Sequence, residues 1–362
     1  MTRRLPTLSV VLFAALHFTG CGTTSAIDDL GTLGGESSMA LGINQTGSVT
    51  GGSYKSSGDP HIGYHAFRYV DGLGMVDVGA LPGGDVSEGH GINSSGVIAG
   101  AGLVVGSDSV SNAFLASPQG VLSDIGTVDV FSFARDINDK GQVTGESSNS
   151  LGNDHAFLWT QSDGMTDLGT LGGSTSVGRS INENGQISGE SKSSNDSATR
   201  AFRFTPGVGM VDLGTLGGRN SSAFGINDSG QVVGESDTGF NNGNNYLFLG
   251  LSILGTHAFL WTEGVGIIDL GHFPGGHSTA HAINNRGIVV GSSSLKDGSN
   301  HAFMWTKSGG MVDLNGLLPR GSGWVLYDAW DINDNSQIVG NGLHNGKAHA
   351  YRLNYQAPTL AP

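Results

Sequence analysis

From residue 28 onward short apolar runs alternate with clusters of turn-forming residues, and beyond the N-terminal segment no stretch shows an apolar period of 3.6. The runs are about five residues long, with β-branched or aromatic side chains at alternate positions, which predicts strands. Four kinds of run follow one another in fixed order. The first reads Ser-x-Ala-x-x-Ile-Asn, and the second is typified by residues 231–236 (Gln-Val-Val-Gly-Glu-Ser). The third is typified by residues 155–160 (His-Ala-Phe-Leu-Trp-Thr) and the fourth by residues 209–214 (Gly-Met-Val-Asp-Leu-Gly). Asn227-Asp228-Ser229-Gly230 joins the first two and suits a type I turn followed by a left-handed Gly, the geometry of a bulged hairpin. Turns such as Gln161-Ser162-Asp163-Gly164 join the last two.

The whole unit recurs. Ile-Asn-x-x-Gly-x-φ-x-Gly begins at Ile43, Ile92, Ile137, Ile181, Ile226, Ile283 and Ile332, with Ser336 replacing the first Gly of the last copy. The starts lie 49, 45, 44, 45, 57 and 49 residues apart. Each copy is followed by an Ala-aromatic pair, from Ala66-Phe67 to Ala350-Tyr351, preceded by His65, His155, His257, His301 and His349 in five cases. An Asp-φ-Gly element, as in Asp167-Leu168-Gly169, completes the unit. Four antiparallel strands in about 45 residues, said seven times, predict an all-β, seven-bladed β-propeller. The ends sharpen this expectation. Asp29-Leu30-Gly31 is a fourth strand with no blade of its own, and the last unit stops after its third strand near Leu353. An N-terminal strand that completes the last blade closes the ring and removes two exposed edges.

Composition narrows the chemistry. The chain has 362 residues, 62 of them Gly, with a net charge of -14 and one Cys. The acidic balance excludes nucleic acid as the natural partner, and one Cys excludes a disulfide framework or a Cys-based zinc site. Residues 1–20 have a basic start and an apolar run too short to span a membrane, as a secretory leader does. Phe18-Thr19-Gly20-Cys21 resembles the lipobox of bacterial lipoproteins, with Phe18 where Leu is usual. That resemblance implies cleavage before Cys21, lipidation of Cys21 and attachment to the outer membrane or cell surface. Cleavage by the ordinary signal peptidase after Ala26, giving a secreted or periplasmic protein, is the alternative. The expected organisation is a leader over 1–20, a tether over 21–27, a propeller over 28–355 and a Pro-containing tail over 356–362.

The Asp-Leu-Gly-Thr-Leu-Gly-Gly and His-Ala-Phe-Leu-Trp motifs resemble the HAF repeat family of extracellular bacterial proteins, over roughly residues 28 to 353. The resemblance implies an exported repeat protein and carries no catalytic residues with it.

An active site occurs once, whereas the signature Asn, Asp and His recur, so these read first as structure. Trp159, Trp261 and Trp305 likewise read as packing between blades. No phosphate cradle, nucleophile elbow, His-Glu-x-x-His or calcium loop is present, and neither a cofactor nor a metal ligand is assigned. Positions that vary between repeats are the better candidates. Two residues before each Ile-Asn stand Leu41, His90, Arg135, Arg179, Phe224, His281 and Trp330. If the first strand is innermost, these side chains ring the channel, where they can hydrogen-bond, pair with an anion and stack on a ring. The alternative is that they fill gaps between blades. On one face, the loops from fourth to first strands carry Arg219, His277, Arg320 and Trp324, and loops bearing varied side chains over a rigid scaffold suit binding. The fifth repeat adds an apolar insertion at 247–254, read as an additional strand or lid, a partner or membrane contact, or a buried plug, with burial favoured. The expectation is a monomeric binding scaffold, for a cell-surface polysaccharide or protein, that meets the membrane only through its lipid. The alternative is an exported polysaccharide hydrolase or lyase with His90, His281 or a loop carboxylate as acid or base.

Overall fold

Six copies of the repeat each fold into one antiparallel sheet whose four strands run from the axis outward in chain order, and the seventh does so with its outer strand supplied by the chain's N-terminal segment. The computed structural model describes residues 25–55, 63–104, 110–239 and 255–355. The leader with Cys21, the insertion at 247–254 and the tail from 356 lie outside the described residues. Blades 1 to 7 are named here by their inner strands: Ser38–Ile43, Ser87–Ile92, Ser132–Ile137, Gly172–Ile181, Gly217–Ile226, Ser278–Ile283 and Trp324–Ile332. Inner strands touch their neighbours around a complete ring, which makes this a seven-bladed β-propeller. Among the described residues no helix is long and apolar enough to cross a membrane.

The repeat motif is a packing device. The last Gly of each Ile-Asn motif lies directly across from the aromatic of the Ala-aromatic pair, as Gly145 does from Phe157 and Gly340 from Tyr351. A β-carbon on Gly145 would collide with the carbonyl oxygen of Phe133 on the inner strand. Gly therefore lets the inner strand close in, and the aromatic ring covers the gap. All seven aromatics are fully buried, as are the Ala residues before them. Trp159, Trp261 and Trp305 pack on the cores between blades.

Between blades the joints are polar. Each motif Asn is buried, and its Nδ2 donates to the carbonyl of the equivalent Asn in the next blade, Asn44 to Asn93 (2.9 Å), then Asn138, Asn182, Asn227, Asn284 and Asn333 in turn. Asn333 returns to Asn44 at 3.0 Å, so the belt closes on itself. The Oδ1 atom of the same Asn accepts from N–H groups of its own hairpin turn, as Asn227 does from Gln231 (3.0 Å). A Ser five residues before the motif Ile in six inner strands adds a second joint by accepting the Ala N–H of the preceding blade, for example Ser176 from Ala156 at 2.9 Å.

The ring is closed as the chain ends predict. Ala26–Asp29 pairs antiparallel with Lys347–Asn354 and forms the outer strand of blade 7. This strand opens at Ala26, ahead of the expected boundary at 28. Buried Arg352 ties the joint together by donating to Asp28 (2.9 Å), to Asp71 (2.8 Å) and to the Gly47 carbonyl (2.9 Å) of blade 1.

Removing one member of the belt leaves buried donors and acceptors unpaired. Asn227→Ala is expected to lower the unfolding free energy by about 1–3 kcal/mol. Asp228→Ala, on the exposed turn beside it, is expected to change it by less than about 0.5 kcal/mol. Equilibrium denaturant unfolding of both variants checks the contrast, and equal losses would remove the belt from its structural role.

Candidate functional site

The seven variable residues owe their position to a defect repeated in every blade. Pairing of inner and second strands slips between Ala40 and Gly42, and at the equivalent place in the other six blades. The skipped residues are Leu41, His90, Arg135, Arg179, Phe224, His281 and Trp330. Each is therefore the extra residue of a β-bulge, which bends the strand and re-aims the side chain. All seven line one central cavity of about 570 Å³.

Their side chains form two arcs. One is aromatic: His281 stacks on Trp330 at 4.4 Å and 19°, Phe224 lies 5.9 Å from His281, and the Arg179 guanidinium sits 5.7 Å from the Phe224 ring. The other is charged. Arg135 makes a two-point contact with Glu146 (3.1 and 2.6 Å) and lies over Phe133 at 4.1 Å. Arg179 pairs with Glu190 at 2.5 Å. His90 Nε2 lies 3.1 Å from Glu88, whose other oxygen accepts from the Tyr64 hydroxyl at 2.9 Å. His281 Nε2 lies 3.0 Å from Asp328, without the alignment of a hydrogen bond. Burial raises the pKa of both Glu88 and Glu190, but neighbouring His90 and Arg179 outweigh it and hold the two carboxyls below their ordinary value. This corrects the expectation of a free anion site. Both arginines are neutralised inside their own blades.

The repeat motifs do not point to two further carboxylates at this level. Where blades 1, 2 and 5 carry Gly42, Gly91 and Gly225 beside the bulge, blades 3 and 7 carry Asp136 and Asp331, which also line the cavity. Each accepts the N–H of its own blade's Ile and that of the next blade's: Asp136 from Ile137 (2.8 Å) and Ile181 (2.9 Å), Asp331 from Ile332 and Ile43 (both 2.8 Å). Burial nevertheless pushes Asp136 up to about 6 and Asp331 up to about 7. At pH 7 Asp331 is therefore divided between its two protonation states, whereas Asp136 is mostly ionised. Toward the tight-turn face Asp139, Glu183, Asp228 and Asp334 make the mouth acidic.

The four loop residues do not form one site. His277 is exposed just ahead of its strand, and its Nδ1 accepts the Thr256 N–H at 3.3 Å. Arg320 is exposed in a turn. Arg219 instead lies within the strand Gly217–Ile226 and is committed to the Ser197 carbonyl at 2.6 Å. Trp324 opens the strand Trp324–Ile332, is 8% exposed, and stacks on His344 at 4.6 Å. The two longer-than-expected strands take these residues out of the loops, and burial of Trp324 removes it from the binding face. The signature histidines tie third to fourth strands, as His155 does by its Nδ1 to Asp167 at 2.8 Å.

No family model matches the sequence, and no curated protein matches it either, so the likeness to HAF repeats rests on the motifs alone. Solved structures do match. A virginiamycin B lyase from Staphylococcus aureus superposes with a TM-score of 0.55 at 11% identity, covering 92% of this chain and 100% of that one. A puromycin-hydrolyzing peptidase from Mycobacterium tuberculosis gives a TM-score of 0.50 at 12% identity, covering 85% of this chain and 50% of that one. At these identities the likeness is one of fold.

The raised pKa of Asp331 has a consequence for stability. Its folded value lies above the ordinary aspartate value of about 3.9, so the native state holds this proton more tightly than the unfolded chain does. That contribution is full below about pH 4 and is lost as the pH rises through about 7. Asp331→Ala, which gives blade 7 the small residue that blade 6 has in Ala282, is expected to flatten the profile. Whatever the offset between the two proteins, the Tm of the wild type should fall relative to the variant by several degrees between pH 4 and 8. Thermal melts across that range check this, and parallel profiles would contradict it.

Proposed function

We propose that the protein is an exported propeller, anchored by lipidated Cys21, that binds a carbohydrate of the cell surface in its central cavity without transforming it. The observation that carries the reading is the pair of arcs on one wall. An aromatic surface from Phe224 to Trp330 can stack on the apolar face of a sugar ring. The Arg135–Glu146 and Arg179–Glu190 pairs offer fixed donors and acceptors to hydroxyl groups at the same level. With both arginines internally neutralised and the mouth acidic, a neutral or cationic ligand suits the cavity better than an anionic one. The leader, the lipobox resemblance and the HAF-like motifs support export.

A second reading has its own support. Asp136 and Asp331 face the cavity with pKa values near neutrality, as an acid or base needs, so hydrolysis or elimination on a polysaccharide is the alternative. The lyase and the peptidase that share the fold are consistent with it, on grounds of fold alone.

A glycan and cell-wall-fragment binding screen separates the readings. Wild type is expected to bind a neutral or cationic glycan and to leave it intact. His281→Ala/Trp330→Ala, shown to be folded by circular dichroism, should bind at least tenfold more weakly. Turnover that Asp331→Ala abolishes would favour the enzyme, and binding that survives the double variant would move the site out of the channel.

A further inference from the structure

Outside the channel, one cluster of metal-ligating side chains stands apart at the seam where the ring closes. Asp29 of the N-terminal strand receives two imidazoles, with His344 Nδ1 at 2.8 Å from Oδ2 and His349 Nδ1 at 2.9 Å from Oδ1. Their ligand atoms all lie within 4.8 Å of one another. His349 is the signature residue, and its pairing with Asp29 repeats His65–Asp77, His155–Asp167, His257–Asp269 and His301–Asp313. His344 is not part of the repeat. The register places it two residues beyond Gly342, which faces His349, just as Lys55 stands two residues beyond Ser53, which faces His65. In blade 1 this position therefore supplies an ammonium, and Lys55 meets Asp77 at 2.8 Å. In blade 7 it supplies a second nitrogen lone pair.

We propose that Asp29, His344 and His349 form a binding site for a divalent transition-metal ion of the zinc type. Two imidazole nitrogens and one carboxylate oxygen are a donor set suited to zinc, with the fourth position left to water. The side chains are 30, 28 and 18% exposed, so an ion has a path in from solvent. The ring of His344 is already oriented, stacked parallel to Trp324 at 4.6 Å and 3°. Asp29 is steadied by the Gly31 N–H at 2.9 Å. A structural pairing alone needs only one imidazole, as blades 3, 5 and 6 show. An ion here joins the N-terminal strand to the strands Gln337–His344 and Lys347–Asn354, and so fastens the ring. The seam and the channel cavity share no lining residue, so this site is independent of the proposed ligand cavity.

The test uses untagged protein stripped with a chelator and titrated with Zn2+ against a chromophoric competitor. One equivalent is expected to bind, and the ion should raise the Tm by several degrees. His344→Gln and Asp29→Asn should each weaken binding at least tenfold and lose the thermal shift. His155→Gln, in a pair without a third ligand, should leave both unchanged. Cu2+ should also quench a share of the fluorescence that Trp324→Phe lacks. Absence of stoichiometric binding by the wild type, or binding unchanged in both His344→Gln and Asp29→Asn, overturns the site.

Discussion

A ring of seven sheets stands or falls on whether its joints close, and here the joint is a hydrogen bond passed from one buried asparagine to the next. Each Asn side chain does two things at once. Its Oδ1 holds its own hairpin turn, and its Nδ2 takes the carbonyl of the following blade. Both ends of the amide are occupied in the interior, where an unpaired polar group is costly. Because the belt returns from Asn333 to Asn44, the angle between blades is set seven times by the same small group. This explains why Ile-Asn is the most regular element of the chain. An aspartate there would lack the donor, and a longer side chain would open the turn.

The belt frees the residues behind it. With the inner strand fixed at Asn and at a buried Ala or Gly, the bulge between them must project one side chain toward the axis, and nothing in the blade core depends on its identity. Leu, His, Arg, Phe and Trp are all accommodated there. Scaffold and site are thus separated within three residues of one strand. The Gly opposite is the counterpart of this arrangement, because only a missing β-carbon lets the bulged strand approach its neighbour. Repetition builds the wall, and variation at one position gives the wall its chemistry.

The architecture was largely legible in the sequence because its causes are local and repeated. Turn chemistry, alternation and the surplus of Asp29-Leu30-Gly31 over a blade that ends near Leu353 already imply a closed ring of seven. The placement of His90, Arg135, Arg179, Phe224, His281 and Trp330 around one cavity was legible too, from variation inside a constant frame. Their partners were not. Glu146 and Glu190 sit on the second strand, and which carboxylate meets which arginine depends on a register slip that strand spacing does not display. Asp136 and Asp331 stand among Gly, Ser and Ala at their position, but their raised pKa values follow from depth in the ring, a property of the closed assembly. Trp324 was misplaced for a related reason: the inner strand of blade 7 begins earlier than the repeat suggests, and a residue expected at a loop tip lies in the core.

Ring closure also orders events in time. Ala26 lies opposite Asn354, so the first strand of the propeller to be synthesised shares a sheet with the last. Six blades can assemble as they appear, each from contiguous chain, but the N-terminal strand, made at the outset, waits for the seventh. Until then the ring is open and carries two unpaired edges, the state in which β proteins are most prone to associate. The pairing that ends this exposure spans almost the entire described chain, the slowest kind of contact to form. A copy that stops short of residue 347 has no strand to offer the waiting N-terminal segment. The seam therefore works as a completeness check, distinguishing a finished chain from a truncated one by whether the circle can shut.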